Sequence, residues 1–234
     1  MDDCKPRHSG STVASMPGEL LLVICGAGPL KDVTTLISQV LARGWNVQAM
    51  ATPSAVVIGF DVEAVKKQTG RLVVTSPAVR RITLSPDVIL VAPATANTIT
   101  KLALDIRDTY ASSVLGQAVA ARTPVVILPS IKKVDLEREV FRNYIKSLRR
   151  EGVCLLIGGP NGIHPTNAST KDGPVPPFPW HLAMPAIAAC IDAHERDTSV
   201  LQMKIVSPWT AVVLTTAILI LTGYWKCGAK FKET

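Results

Sequence analysis

A chain of 234 residues, 47% apolar and 18% charged, holds enough apolar material for one domain with an appendage and excludes a disordered tail, a coiled coil or a collagen-like repeat. Lys and Arg number 25 against 18 acidic residues, a net charge of +7, but only 5% of residues are aromatic. Base-stacking platforms are therefore lacking and no nucleic-acid partner is expected. The five cysteines, Cys4, Cys25, Cys154, Cys190 and Cys227, show no short C-x-x-C spacing, which argues against a disulfide framework and a metal site and for a reducing, cytoplasmic setting.

Residues 1–17 contain no apolar run of the kind a secretory signal needs and read as a flexible leader. From Leu20 to Cys25 the chain is continuously apolar and ends at Gly26-Ala27-Gly28-Pro29, as a strand buried on both faces does when it meets a tight turn. Val33, Leu36, Ile37, Val40 and Leu41 recur at helical spacing within Lys31 to Arg43, and Gly44 supplies the stop. A second strand is expected over Trp45 to Ala51, a helix over Asp61 to Thr69, a short strand at Leu72 to Thr75 and a strong strand at Asp87 to Ala92. A helix over Leu102 to Ala121, a strand over Pro124 to Pro129, an amphipathic helix over Leu136 to Glu151 and a strand over Val153 to Ile157 follow. Strand and helix alternate with short connections, the pattern of an α/β doubly wound parallel sheet, whose ligands sit beyond the carboxyl ends of the strands.

Gly158 to Pro179 is too rich in proline and glycine for regular structure and reads as a long loop, a binding element or disorder. A last helix is expected over Trp180 to His194. The domain is thus placed at residues 18–195, with 196–234 as linker and tail. Residues 205–225 carry no charge; as a helix they would reach roughly 31 Å, the thickness of a bilayer core. Trp209 lies near one end, Tyr224 and Trp225 at the other, and Lys226, Lys230 and Lys232 follow, so a C-terminal hydrophobic helix that anchors the protein in a membrane is expected.

The most informative stretch is Pro93-Ala94-Thr95-Ala96-Asn97-Thr98, where an apolar strand runs into a helix. Small residues and hydroxyls at such a turn let a planar ring approach the backbone, and free amides at a helix start attract an anion. The Asn97 amide both donates and accepts hydrogen bonds. Thr95, Asn97 or Thr98 also suits the plain role of helix cap, and the local sequence leaves both readings open.

This stretch, with Lys101-Leu102-Ala103 and Asp105-Ile106-Arg107-Asp108-Thr109 after it, closely resembles the signature of the flavoprotein family that includes phosphopantothenoylcysteine decarboxylase and the peptidyl-cysteine decarboxylases. The likeness extends to Cys25-Gly26-Ala27-Gly28, to Thr52-Pro53-Ser54-Ala55 and to Phe178-Pro179-Trp180-His181, a combination similar to the stand-alone flavoproteins of actinobacteria. It implies a flavodoxin- or Rossmann-like three-layer sandwich, FMN as cofactor and a homotrimer or higher homo-oligomer. It further implies that Gly26, Ala27 and Gly28 line the flavin, that Thr52 or Ser54 bonds its phosphate or ribityl chain, and that Pro93, Thr95, Ala96, Asn97 and Thr98 hold the ring and face the substrate. Asp108 belongs to the same implied cofactor-binding set, and Asn97 is the implied catalytic group.

Arg81 stands where decarboxylases of the family carry a catalytic histidine, and an arginine gives or takes no proton near neutral pH; it can still clamp a carboxylate. Pro129-Ser130-Ile131-Lys132 replaces the family's Pro-Ala-Met-Asn, and Cys154, inside an apolar run, reads as an inert buried thiol. Of the histidines, His8 and His194 read as exposed and His181 as structural, leaving His164 on the long loop as the acid or base candidate. The expected function is that of an FMN-dependent oxidoreductase or decarboxylase-like enzyme acting on a small or peptidyl substrate with a thiol and a carboxylate. The alternatives are a non-catalytic, membrane-anchored flavin-binding module and, last, a flavin prenyltransferase-like enzyme.

Overall fold

Five apolar runs become the strands of one parallel sheet: β1 (Glu19–Ile24), β2 (Asn46–Ala51), β3 (Val88–Ala94), β4 (Val125–Pro129) and β5 (Cys154–Leu155), in the order β2-β1-β3-β4-β5. The structure is a computed structural model that describes residues 18–79, 85–158, 162–163 and 177–198. β1 lies in the middle, paired with β2 over Glu19↔Asn46 to Ile24↔Ala51 and with β3 over Leu20↔Val88 to Val23↔Val91. All residues of β3 and β4 are buried, which is why these strands read as unbroken apolar runs without polar alternation.

The helices are α1 (Val33–Leu41), α2 (Pro53–Val57), α3 (Val62–Thr69), α4 (Ala96–Ala103), α5 (Tyr110–Ala120), α6 (Lys133–Glu137) and α7 (Glu139–Arg150). Residues 183–198 form an eighth, α8, of which 183–190 belong to the same compact unit as the sheet. Side chains alternate across β1. Leu21, Val23 and Cys25 join Ile99 of α4, Leu115 of α5 and Phe141, Ile145 and Leu148 of α7 in one core layer. Leu20, Leu22 and Ile24 are also buried, as are Leu36, Ile37 and Val40 of α1 and Val65 of α3. Each fully buried aliphatic side chain contributes on the order of 1.5–3 kcal/mol through the water it leaves, so burial on this scale holds the sheet ends in register.

The expected order of elements is found, with boundary corrections that have local causes. The helix expected over Leu102 to Ala121 is two helices, because Asp105 adopts a left-handed φ of 52° and Thr109 opens α5 with a capping box closed by Ser112. The helix expected over Leu136 to Glu151 breaks at Arg138, whose backbone is extended. In place of a strand at Leu72 to Thr75 there is one bridge, Met50↔Val74; the buried Gln48 amide donates to the Leu72 carbonyl at 2.7 Å and takes up that acceptor itself. β5 is shorter than expected, followed by the bridge Ile157↔Ile163. Among the described residues no helix is long and apolar enough to cross a membrane. The expected anchor at 205–225 lies outside them.

Candidate functional site

The chain leaves β1 to pair β2 on one side and returns with β3 on the other, so the connections beyond the carboxyl ends of β1 and β3 diverge. Such a switch point opens a crevice between the two turns. Three sequence-predicted segments meet at this end of the sheet: Gly26 to Gly28 after β1, Thr52 to Ser54 after β2, and Pro93 to Thr98 at the end of β3. Their distance along the chain is erased by the parallel register.

The three turns are fastened to each other. The Thr52 amide donates to the Ile24 carbonyl at 2.9 Å, and the Cys25 amide donates to the Pro93 carbonyl at 3.3 Å. Thr95 is the N-cap of α4: its hydroxyl oxygen accepts from the Thr98 amide at 3.2 Å and lies 3.0 Å from the Thr98 hydroxyl oxygen. The Thr98 hydroxyl in turn donates to Cys25 Sγ at 3.3 Å. Thr95 thus caps α4 and Thr98 braces that cap to the β1 turn through Cys25, which fixes the first turn of the helix. The peptide bond Ala92–Pro93 is cis.

Cys25 is fully buried at this junction, and burial pushes its thiol up from the ordinary value, against the opposing hydrogen bond from Thr98. A thiolate there would be desolvated, so Cys25 stays a neutral acceptor. Thr52 caps α2, with its buried hydroxyl 3.2 Å from the Ser54 hydroxyl, while Ser54 itself is exposed. A Cβ on Gly26 would stand 2.9 Å from the Ser54 carbonyl carbon and oxygen; the absence of a side chain is what lets the β1 turn lie against α2. Around Gly28 a Cβ would meet nothing within 4 Å, so that glycine leaves open room beside the turn.

A cleft of about 410 Å³ opens on the side of the β1 turn away from α4, lined by Gly26, Ala27 and Gly28 together with Lys31, Ile58, Phe60 and Asp61. Lys31, Ile58 and Phe60 were not singled out by sequence reasoning. They come from the first 3₁₀ turn and the α2–α3 connection, and only the packing of α2 against the β1 turn brings them to the glycines. Asn97, on the first turn of α4, is exposed and Ala96 is partly buried beside it.

Asp108 sits in the turn between α4 and α5, where its carboxylate accepts from Lys101 Nζ at 2.6 Å and from the Ser112 hydroxyl at 3.4 Å. The Lys101 hydrogen bond holds its carboxyl below the usual range. The departure from the family pattern at Ser130 falls just past β4, where the Ser130 amide donates to the Ala94 carbonyl at 2.7 Å. Arg81 and His164 lie outside the described residues.

A parallel α/β sheet whose switch point gathers glycines, capping threonines and an exposed asparagine belongs to the class of nucleotide-type cofactor-binding domains. Within that class the chain belongs to the Flavoprotein family, whose model matches residues 11–172. It is 30% identical over 143 residues to the coenzyme A biosynthesis bifunctional protein CoaBC of Thermococcus kodakarensis, covering 58% of this chain and 35% of that protein. The chain spans between 26% and 46% of the length of the curated relatives it matches. Among solved structures, MrsD from a Bacillus species aligns with a TM-score of 0.55 at 16% identity, over 75% of this chain and 96% of that one. The FMN-dependent cysteine decarboxylase TvaF of thioviridamide biosynthesis gives 0.53 at 21% identity, over 73% and 98%. These likenesses bear out the doubly wound fold, and the family bears out the expected flavin cofactor.

Proposed function

We propose that this chain is an FMN-dependent enzyme of the decarboxylase kind, acting on a small or peptidyl substrate that carries a thiol and a carboxylate. One observation carries the reading: the turns after β1, β2 and β3 are hydrogen-bonded to one another at one end of the sheet, with Ser54 and Asn97 exposed and room at Gly28. Those residues suit FMN. The glycine turn admits a flat ring system, Ser54 offers a hydroxyl and Lys31 a positive charge to a phosphate, and Thr95 and Thr98, locked to each other and to Cys25, keep the α4 amides in place. FMN, when bound, supplies the electron-accepting chemistry. The protein's part is to bind and orient: Asn97 hydrogen-bonds and positions the substrate, and the neutral Cys25 beneath the turn adds no charge to the site.

The decarboxylases SpaF and TvaF are described as acting on cysteine with FMN, which supports the substrate class. The test is the visible spectrum of the purified full-length protein with the released chromophore identified by mass, followed by anaerobic addition of cysteine-terminated peptides. Flavin bands, FMN at about one per chain and bleaching on addition are expected; Asn97→Asp keeps the yellow colour and loses the bleaching. A colourless protein that takes up no added FMN overturns the reading. Stable colour with no bleaching by any thiol substrate favours the second reading, a flavin-binding module without turnover, which Arg81 in place of the family's histidine supports.

The assembly belongs to the same proposal. Val56, Val57 and Ile58 are 42%, 83% and 57% exposed next to the cleft, an apolar strip suited to a second copy in a homotrimer or higher homo-oligomer. Light scattering on the wild type and on Val57→Glu tests it: a trimer that falls apart on substitution is expected, and a wild-type monomer removes it. Anchoring of residues 205–225 in a membrane rests on the sequence alone. Retention of a chain ending at residue 198 in the membrane fraction would count against it.

A further inference from the structure

At the far edge of the sheet from β2, two cysteines 36 positions apart in sequence meet. Cys154 is on β5, in register with Val126 of β4. Cys190, from α8, places its Sγ 4.0 Å from the carbonyl oxygen of Val125, the neighbour of Val126. Both are free cysteines, and their side chains lie close enough to interact. Cys190 is buried at 8% exposure, whereas Cys154 is only partly buried. Neither residue belongs to the crevice described above, and the proposed function uses neither.

We propose that Cys154 and Cys190 are an oxidisable dithiol, a modification site at which a hydroperoxide converts two thiols into one disulfide that ties α8 to the sheet edge. The two cysteines divide the work. Cys154 is the attacking sulfur: it is the more exposed of the two, and Cys190 and the nearby Arg149 guanidinium draw its thiol down from the ordinary value, against the effect of burial. The thiolate so favoured is the form that reacts. Cys190 is the resolving sulfur, held up as a thiol by its interaction with Cys154 and by burial. Arg149 stays in place because its guanidinium also donates to the carbonyl oxygens of Leu155 at 3.0 Å and Ile157 at 2.8 Å.

The Cys154 thiolate attacks one peroxide oxygen, the O–O bond breaks, and the other oxygen leaves as water after taking a proton, which leaves a sulfenic acid. Cys190 loses its proton, its sulfur attacks the Cys154 sulfur, the S–O bond breaks, and the second oxygen leaves as water. Two thiols and one hydrogen peroxide become one disulfide and two waters, with two electrons passing from sulfur to oxygen. Thiol reductants reverse the change by exchange. The bond would cross-link the strand that leads into the Ile157↔Ile163 bridge, so oxidation stiffens the start of the segment that follows β5.

The experiment treats the purified full-length protein with one to a few equivalents of hydrogen peroxide and maps peptides by mass without reduction. A Cys154–Cys190 linked peptide that disappears with dithiothreitol is expected. Oxidation should raise Tm by several degrees, as closing a loop of this length does. In Cys190→Ala a dimedone adduct should accumulate on Cys154. In the wild type, iodoacetamide should modify Cys154 at a lower pH than it does an ordinary cysteine, and at least roughly tenfold faster than the buried Cys25. Full oxidation of the protein with Cys154 still open to alkylation, or linkage of Cys154 to a different cysteine, overturns the proposal. So does a Cys154 no more reactive than Cys25, a result that does not depend on any variant folding.

Discussion

The middle of the sheet and its β5 edge each hold a buried or half-buried cysteine, and the two have opposite chemistry. Cys25 follows β1, with the Thr98 hydroxyl and the Thr95 backbone as partners of its sulfur, and burial holds it as a neutral thiol. Cys154, which opens β5, has Cys190 and an arginine beside it and is drawn the other way. Residue type is the same; the partners decide. The centre is accordingly built to be chemically quiet and geometrically fixed, so that a bound cofactor supplies reactivity. At the edge, the protein's own atoms are reactive.

If that contrast is right, the centre should fail through shape. Gly26→Val is the most damaging single change we expect, because its side chain would drive into the Ser54 and Ala55 backbone, which stands 2.9 and 3.1 Å from the Cβ position and has no rotamer to swing away. Overpacking of this kind costs about 1–3 kcal/mol, or a Tm lower by roughly 3–10 °C for a domain of this size. FMN retention should be lost altogether, since the β1 turn must move from the crevice to relieve the clash. A Gly26→Val protein purified yellow and at wild-type Tm would show that the turn is not the rigid element described here.

The same contrast explains what the sequence reveals. The centre is legible because its parts are local words: an apolar run into Cys25-Gly26-Ala27-Gly28, and Pro93-Ala94-Thr95-Ala96-Asn97-Thr98 with a cap three residues before its amide partner. The strand order and the meeting of these turns at the switch point needed the fold; alternation of strand and helix implied only that the strands run parallel. Less was legible where the partner is distant. Gln48 diverting the Leu72 carbonyl cancels a strand that the residues themselves suit, and Asp105 and Thr109 split a helix whose apolar spacing runs on past them. Cys154 read as inert because its neighbours in sequence are apolar, whereas its reactivity comes from Cys190 on α8 and from the charge on Arg149. No local pattern encodes that pair.

A smaller effect is expected from the hydroxyl that braces the centre. Thr98→Val keeps the shape and removes the donor to Cys25 Sγ and the contact with Thr95. One such hydrogen bond is worth about 1 kcal/mol, so Tm should fall by roughly 3 °C and FMN should bind a few-fold more weakly, with Thr98→Ser recovering most of both. An unchanged affinity in Thr98→Val would mean that the α4 amides hold their direction without the brace. Thr98 would then serve the helix start through its backbone amide alone, by donating to Thr95.

The smallest effect belongs to Asp108. The Lys101 hydrogen bond lowers the carboxyl of Asp108 in the folded state, so the ionised form favours folding. That contribution is complete above the ordinary aspartate value of about 3.9 and is lost as pH falls through the lower, folded value. Asp108 is exposed and the pair is open to solvent, so salt screens it and the contribution is slight. Thermal melts of wild type and Asp108→Asn at falling pH should converge below that range, and added salt should narrow the gap above it. FMN titration of the same variant separates the two roles that Asp108 could have. If the carboxylate acts only by pinning Lys101 across the α4–α5 turn, affinity falls far less than in Gly26→Val; a loss as large as that variant's would make Asp108 a direct cofactor ligand, as the family resemblance implies.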